Sequence, residues 1–334
     1  MNTTSLGDLA QSFMQQRRSV ELRSEQARLT DELSSGRIAD IKEVLDGNHT
    51  YLTGLERSME VLQGYSVVTQ EAAILTSSMQ TALDRVQQAT GQLGLDLLLA
   101  SGGPLGVVAA APSENAAYQL DSILNTLNDD VAGRSLFAGT AINQTPLPDA
   151  ETLIAFALAE VAGQTSPQDI LDTARAWFDS ATGFEAVAYS GSNTPLAPMK
   201  LSETDEISLD IRANDPAIKE ALLYTTVAAL AEDPSLGLSV SEQSELFGLS
   251  GIGLQSNQDQ MTALRAKIGF NEERIELIST RNTAEEISVE FARNQLLAAD
   301  PFETATELES VQFYLQSLYS VTVRSSQLSL VNFL

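Results

Sequence analysis

The chain has 334 residues, of which 43 % are hydrophobic and 6 % aromatic, and its formal net charge is −26. That length allows two or three domains, and the apolar content is sufficient for a hydrophobic core, so wholesale disorder is excluded. The chain has no cysteine and one histidine, His49, which excludes disulfides, thiol nucleophiles, multi-histidine metal sites and histidine-based triads. Strong acidity without a basic stripe argues against nucleic acid as a partner.

The N-terminal segment, residues 1–37, predicts an amphipathic assembly helix. Its apolar residues recur at helical spacing, and they are Leu6, Leu9, Phe13, Val20 and Ala27. A narrow apolar stripe of this kind cannot be buried by the helix that carries it, and it is typical of a coiled-coil partner. The first fifteen residues lack the continuous apolar run of a cleaved signal peptide, and no segment reaches the length of a membrane span. Membrane insertion is therefore not expected.

Residues 38–140 predict the N-terminal half of a helical rod. Gly36 ends the first helix, a linker extends to about Asn48, and helical periodicity then continues to about Leu98. The apolar seam of this half consists of Leu75, Met79, Val86 and Leu93. After a glycine-rich break over 101–106, Ser113 is predicted to cap a shorter helix over 114–131.

Residues 141–235 differ in character and predict a small mixed α/β inserted outer domain. Seven of the ten prolines lie between positions 133 and 240. Short helical patterns occur at 151–162, 168–181 and 215–231. Ile207, Leu209 and Ile211 alternate with polar neighbours, as in a half-buried strand.

The long-helix pattern returns over residues 236–300, the C-terminal half of the rod. Its seam consists of Met261, Leu264, Ile268, Ile275, Ile278, Val289 and Leu296. Asn271 and Asn282 lie on the same stripe, where a polar residue can set register and the number of helical partners. Residues 301–334 form a second assembly helix after Pro301, and its stripe consists of Leu308, Val311, Leu315, Leu318, Val321 and Leu328.

These segments together predict a mainly α fold in which the N- and C-terminal halves pair as a long antiparallel helical or coiled-coil rod. The charge distribution suggests which parts pack together. Residues 1–37 hold five arginines and five acidic residues, and residues 301–334 hold one arginine and three glutamates, so residues 38–300 carry −24 of the net charge. Close packing of many copies is therefore easier for the ends, and we expect the ends inside an assembly and the middle facing water.

Nothing in the sequence predicts catalysis, a cofactor or a metal site. The glycine-rich run over 248–254, GLSGIGL, follows no convincing strand and lacks the lysine of a phosphate loop. The acidic pairs Glu272–Glu273 and Glu285–Glu286 lie on amphipathic helical patterns, where such pairs are usually a solvated face. We interpret the chain as a structural protein and not as an enzyme.

Two segments resemble a known family. The segment Gly133–Thr140, GRSLFAGT, resembles the point at which flagellin-like proteins leave their helical rod for the outer domain, and residues 300–334 are similar to the C-terminal end of those proteins. The chain therefore resembles the flagellin superfamily, and within it the family of hook–filament junction proteins called hook-associated protein 3. The Leu-Phe-Ala-Gly form and an aromatic-rich tail favour the junction family over flagellin.

The resemblance implies a secreted structural subunit of the bacterial flagellum that crosses the membranes by type III export. It implies terminal helices that are disordered in the free subunit and pair as coiled coils on assembly. The implied partners are other copies in a ring or short helical zone, hook-associated protein 1, flagellin, whose assembly a junction protein templates, and an export chaperone. Flagellin itself, or a helical partner-binding regulator or tip protein of a type III export system, remains an alternative.

Overall fold

The computed structural model describes residues 4–40, 49–102 and 110–331. The described chain is mainly α-helical, with two short antiparallel strand pairs, so the predicted mainly α fold is confirmed. It divides into two compact units: residues 64–282 form one, and the flanking segments 1–63 and 283–334 form the other. Part of the predicted linker, residues 41–48, lies outside the described residues.

The elements follow one another in chain order. The helices are α1 (Thr4–Ser35), α2 (Thr50–Ser101), α3 (Ala110–Leu127), α4 (Ala150–Val161), α5 (Pro167–Asp179), α6 (Phe184–Val187), α7 (Pro216–Leu230), α8 (Val240–Leu296) and α9 (Pro301–Val331). The strands are β1 (Asp130–Val131), β2 (Arg134–Ser135), β3 (Met199–Lys200) and β4 (Glu206–Ile207), paired β1 with β2 and β3 with β4. A 3₁₀ turn, Pro234–Leu236, precedes α8.

Within unit 64–282, α2 and α8 pack antiparallel. The hydroxyl of Ser244 donates to the carbonyl of Ser101 at 3.0 Å, and the amide of Gln258 donates to the Thr90 hydroxyl at 3.1 Å. Thr90 precedes Ser101 in α2, whereas its partner Gln258 follows Ser244 in α8, so the two helices run in opposite directions. This arrangement brings the N- and C-terminal halves of the chain side by side, as the two apolar seams predicted.

The glycine-rich run at 248–254 lies inside α8 and serves packing. A Cβ atom added to Gly251 would lie 2.9 Å from the Gly94 carbonyl oxygen of α2. A Cβ atom added to Gly253 would overlap the ring of Tyr224 in α7. The glycines therefore let two neighbouring helices approach α8 more closely than any side chain would allow.

Two boundary predictions for α3 are wrong. The helix begins at Ala110, so Ser113 lies inside it, and its hydroxyl donates to the carbonyls of Ala228 at 3.2 Å and Ala229 at 2.7 Å. Ser113 thus satisfies the C-terminal end of α7 and does not cap its own helix. The helix ends at Leu127 because the chain then turns back through a hairpin with positive φ at Ala132 and Gly133.

The three short helices predicted in the middle of the chain are confirmed as α4, α5 and α7. Each begins after a capping side chain: Asp149, Ser166 and Asp215 accept hydrogen bonds from backbone N–H groups of the first turn. These helices share one hydrophobic core with α2 and α8, because Leu83 of α2, Leu153 of α4, Phe178 of α5, Leu222 of α7 and Leu254 of α8 belong to the same buried cluster. The division into five segments remains a prediction.

The extended segment over 201–215 lies along α8 and is held by asparagine side chains. Ile207, Leu209 and Ile211 are buried and alternate with exposed neighbours, as predicted, although only Glu206–Ile207 is paired as a strand. The amide of Asn282 donates to the Leu201 carbonyl at 2.8 Å, and that of Asn271 to the Ser208 carbonyl at 3.2 Å. The predicted role of these asparagines toward a helical partner is therefore corrected: each binds a backbone carbonyl of its own chain.

The turn between β3 and β4 is fixed to α8 by Asp205. Its carboxylate binds Arg281, lies 3.6 Å from Arg274 and accepts a hydrogen bond from the Ser202 hydroxyl at 2.9 Å. The bond from Arg281, followed by that from Ser202, lowers the pKa of Asp205 to about 2. The carboxylate therefore stays ionised near neutral pH and keeps this turn attached to the helix.

Candidate assembly interface

The helices α1 and α9, which we call the terminal pair, pack antiparallel around a small core. Its buried side chains are Leu22, Leu29, Val311 and Leu315, flanked by the half-buried Leu308 and Leu318. They are the only buried aliphatic side chains among those that the structure describes in the two helices, residues 10–35 and 301–324. Most side chains in these described parts of the two helices are therefore left outside this core.

Polar contacts fix how the two helices of the terminal pair are aligned. The guanidinium of Arg23 donates to the Tyr319 hydroxyl at 2.9 Å and lies 5.9 Å from the centre of its ring. The hydrogen bond from Arg23 lowers the pKa of Tyr319. Glu32 is buried, but its carboxylate accepts from Arg28 at 2.8 Å and from the Ala39 N–H at 3.0 Å, so its charge is compensated.

Two backbone hydrogen bonds join the segment that follows α1 to the segment that precedes α9. The Ile38 N–H donates to the Leu297 carbonyl at 3.0 Å, and the Ala299 N–H donates to the Gly36 carbonyl at 3.0 Å. Gly36 has φ of +67°, which favours glycine and ends α1. Because these backbone bonds join the end of α1 to the start of α9, they fix the register of the pair.

The predicted stripe of α1 lies on the side turned away from α9. Phe13 is 69 % exposed and Val20 63 %, and Ala27 is also exposed. At 3.6 residues per turn, these three positions lie about 140° to 180° around the helix from the buried Leu22. The buried positions of α1, Leu22 and Leu29, belong to a second stripe that the sequence analysis did not select.

The predicted stripe of α9 is divided between the core and the surface. Val311 and Leu315 are buried against α1, Leu308 and Leu318 are half-buried, and Val321 is exposed. Leu6, Leu9 and Leu328 lie in described helical backbone, but their side chains are outside the described residues. The assignment of all these residues to contacts between copies remains a prediction.

The sequence analysis did not assign two aromatic side chains on the outward side of α9 to an interface. Phe302 is 84 % exposed and Phe313 is 66 % exposed, and both lie about opposite to the buried Val311 on the helix. Their spacing of eleven residues, three turns of helix, was the signal that could have identified them. The terminal pair thus carries apolar side chains on its two outer sides as well as in its core, which suits it to bind further helices.

The predicted rod seam lies in the interior. Nine of its residues are buried in the core of unit 64–282, and they are Leu75, Met79, Val86, Leu93, Met261, Leu264, Ile268, Ile275 and Ile278. Val289 and Leu296 are half-buried and belong to the other unit. The nine buried residues therefore support the fold and are not available to a partner.

The described residues form no recognisable metal-binding cluster. Among them, no group of three or more histidine, cysteine or acidic side chains could hold a metal ion. His49 is exposed just before α2. None of the helices in the described ranges is both long and apolar enough to cross a membrane. The outer surface of the terminal pair is the candidate functional site, because it exposes Phe13, Val20, Phe302 and Phe313.

Comparisons with known proteins bear on the family and the fold of the chain. Residues 253–334, which include α9, match the family model described as bacterial flagellin C-terminal helical region. A flagellar hook-associated protein from Vibrio parahaemolyticus has a similar structure, with a TM-score of 0.52 and 14 % sequence identity over 74 % of this chain and 96 % of that chain. At that identity the likeness establishes the fold alone, and it agrees with the mainly α fold. No curated protein sequence matches the chain.

Proposed function

We propose that the chain is a structural, non-enzymatic subunit of the bacterial flagellum that forms the junction between hook and filament and templates flagellin assembly. The observation that carries the proposal is the terminal pair, whose outer sides expose Phe13, Val20, Phe302 and Phe313. The match to a flagellin C-terminal helical region covers one of its two helices. A surface of this kind is buried only when neighbouring subunits supply further helices.

Assembly of such a pair is coupled to ordering. The backbone loses about 1–2 kcal/mol of entropy per ordered residue, and burial returns about 25 cal/mol for each Å² of apolar surface. A pair with four buried aliphatic side chains among its described residues gains much more from burial between neighbours than it gains alone. The end of a growing structure supplies those neighbours, so ordering of the terminal pair depends on a template.

Two sequence features favour a junction protein over a filament subunit. The GRSLFAGT segment begins at the second turn residue of the β1–β2 hairpin, contains β2 and buries Phe137 and Ala138, and the tail is rich in aromatic residues. Both features favour a junction protein. In this role the subunit is secreted, binds an export chaperone in transit, and contacts copies of itself, hook-associated protein 1 and flagellin. A filament subunit is the second candidate, because the matched family model is that of flagellin.

Electron microscopy of a strain that lacks the gene tests the proposal. We expect hooks without filaments, together with flagellin released into the medium, because the template for filament growth is missing. A filament subunit would give hooks without filaments and no flagellin in the medium. Normal filaments in the deletion strain, or absence of the protein from sheared wild-type flagella, would contradict a flagellar structural role.

A further inference from the structure

Unit 64–282 carries two exposed apolar faces that its own core does not use. On α2, Val67 is 65 % exposed and Ile74 is 56 % exposed. On α8, Phe270 and Leu277 are each 65 % exposed. Each pair is spaced by seven residues, and each lies on the side of its helix turned away from the buried seam. Heptad spacing on an exposed helical face indicates a helical partner.

The charge on these two faces differs from that of the rest of the middle segment. Between residues 66 and 81 the only charged side chain is Glu71, which forms an ion pair with Arg134. Residues 263–278 hold three basic and three acidic side chains and are neutral overall. Residues 38–300 as a whole carry −24, whereas these two faces add little charge, so repulsion between copies is small where they meet. The expectation that the whole middle faces water is refined accordingly.

The two faces also lie at matching heights. The hydrogen bonds that join Thr90 to Gln258 and Gln87 to Thr262 set the antiparallel register of α2 and α8. In that register Ile74 is level with Ile275, which agrees with a groove lined by both Ala73 and Ile275. Ile74 is therefore at a height between Phe270 and Leu277, although it lies on a different helix.

We propose that the α8 face of one copy, Phe270 and Leu277, binds the α2 face of the next copy, Val67 and Ile74. Two copies in the same orientation and at the same height then place Ile74 of one between the two α8 side chains of the other. The surfaces differ, so the contact is heterologous and leaves one free face at each end, to which further copies add. This inference deepens the proposed function by naming a lateral contact separate from the terminal pair.

Cross-linking of the full chain tests this contact, because the natural sequence has no cysteine. The variant carries Ile74→Cys and Leu277→Cys together, and the purified protein is concentrated and treated with a short bis-maleimide linker. We expect a ladder of covalent dimers, trimers and larger species. The matched control carries Val187→Cys and Leu277→Cys, with Val187 similarly exposed on α6, and we expect no ladder from it.

The single-cysteine variants distinguish a contact between α8 and α2 from a contact between two copies of the same helix. Ile74→Cys alone and Leu277→Cys alone are expected to stay monomeric on the gel. Dimers from Leu277→Cys alone would indicate that α8 binds a second α8, and absence of any product from the double variant would also overturn the inference.

The same reaction on sheared flagella separates the two proposals. Protein present in flagella without a ladder overturns the lateral contact only, whereas a ladder from purified protein that is absent from flagella overturns the flagellar role only.

Discussion

Replacement of Phe13 and Phe313 by aspartate is expected to remove the protein from flagella without unfolding it. Both side chains are more than 60 % exposed in the single chain, so the substitutions do not disturb its core. In an assembly each would place a charge where an apolar side chain is buried. Loss of a buried Phe costs about 1.5–3 kcal/mol, and each 1.4 kcal/mol is tenfold in affinity, so the pair weakens binding at least about a hundredfold.

The measurement is the amount of protein in sheared flagella from a deletion strain that expresses each variant. Val187→Asp is the matched control, because Val187 is exposed on α6 and belongs neither to the terminal pair nor to the two lateral faces. We expect this variant to be incorporated normally and all variants to melt at about the same temperature. Normal incorporation of the Phe13 and Phe313 variant would show that the outer sides of the terminal pair do not drive assembly.

Replacement of Gly253 by alanine is expected to produce the largest loss of stability among single-methyl changes in α8. The added methyl group would overlap the ring of Tyr224. That ring cannot move aside easily, because Tyr224 is buried and its hydroxyl accepts a hydrogen bond from Arg175 at 2.5 Å. Overpacking of this kind typically costs about 1–3 kcal/mol, which lowers Tm by about 2–4 °C per kcal/mol in a unit of this size.

Gly269→Ala is the matched control, since a methyl group added to Gly269, in the same helix, would meet no packed side chain or neighbouring helix within 4 Å. Alanine there is expected to stabilise the protein by about 0.5–1 kcal/mol, because it favours the helical conformation. Thermal unfolding can be followed by the fluorescence of Trp177, which packs against Phe178 in the same core. A Gly253 variant that melts no lower than the Gly269 variant would refute this account of the packing.

The seven-residue repeats could be read from the sequence, but the face that each repeat serves could not. Helix α1 carries Phe13 and Val20 on one side and Leu22 and Leu29 on the other, and both sets have helical spacing. Periodicity identifies an apolar stripe without saying whether its partner belongs to the same chain. The seams of α2 and α8 were easier to assign, because each long segment carried one dominant run of large aliphatic residues.

The errors in the sequence analysis involve polar residues whose partners are distant in sequence. Serine is a residue type favoured at helix caps, but the hydroxyl of Ser113 donates to the carbonyls at the end of α7. Asn271 and Asn282 have the position of register-setting residues in a coiled coil, but they bind an extended segment of their own chain. Local pattern indicates that such a side chain needs a partner, and only the tertiary fold determines which group it binds.

Hydrogen exchange of the backbone amides of α1 and α9 tests the central claim most directly, when a dilute solution of the free chain is compared with sheared flagella. The account predicts fast exchange over residues 10–31 and 303–323 in the free chain and strong protection of both segments in flagella, because neighbouring copies cover the outer sides of the terminal pair. Equal and strong protection in the free chain and in flagella would contradict it.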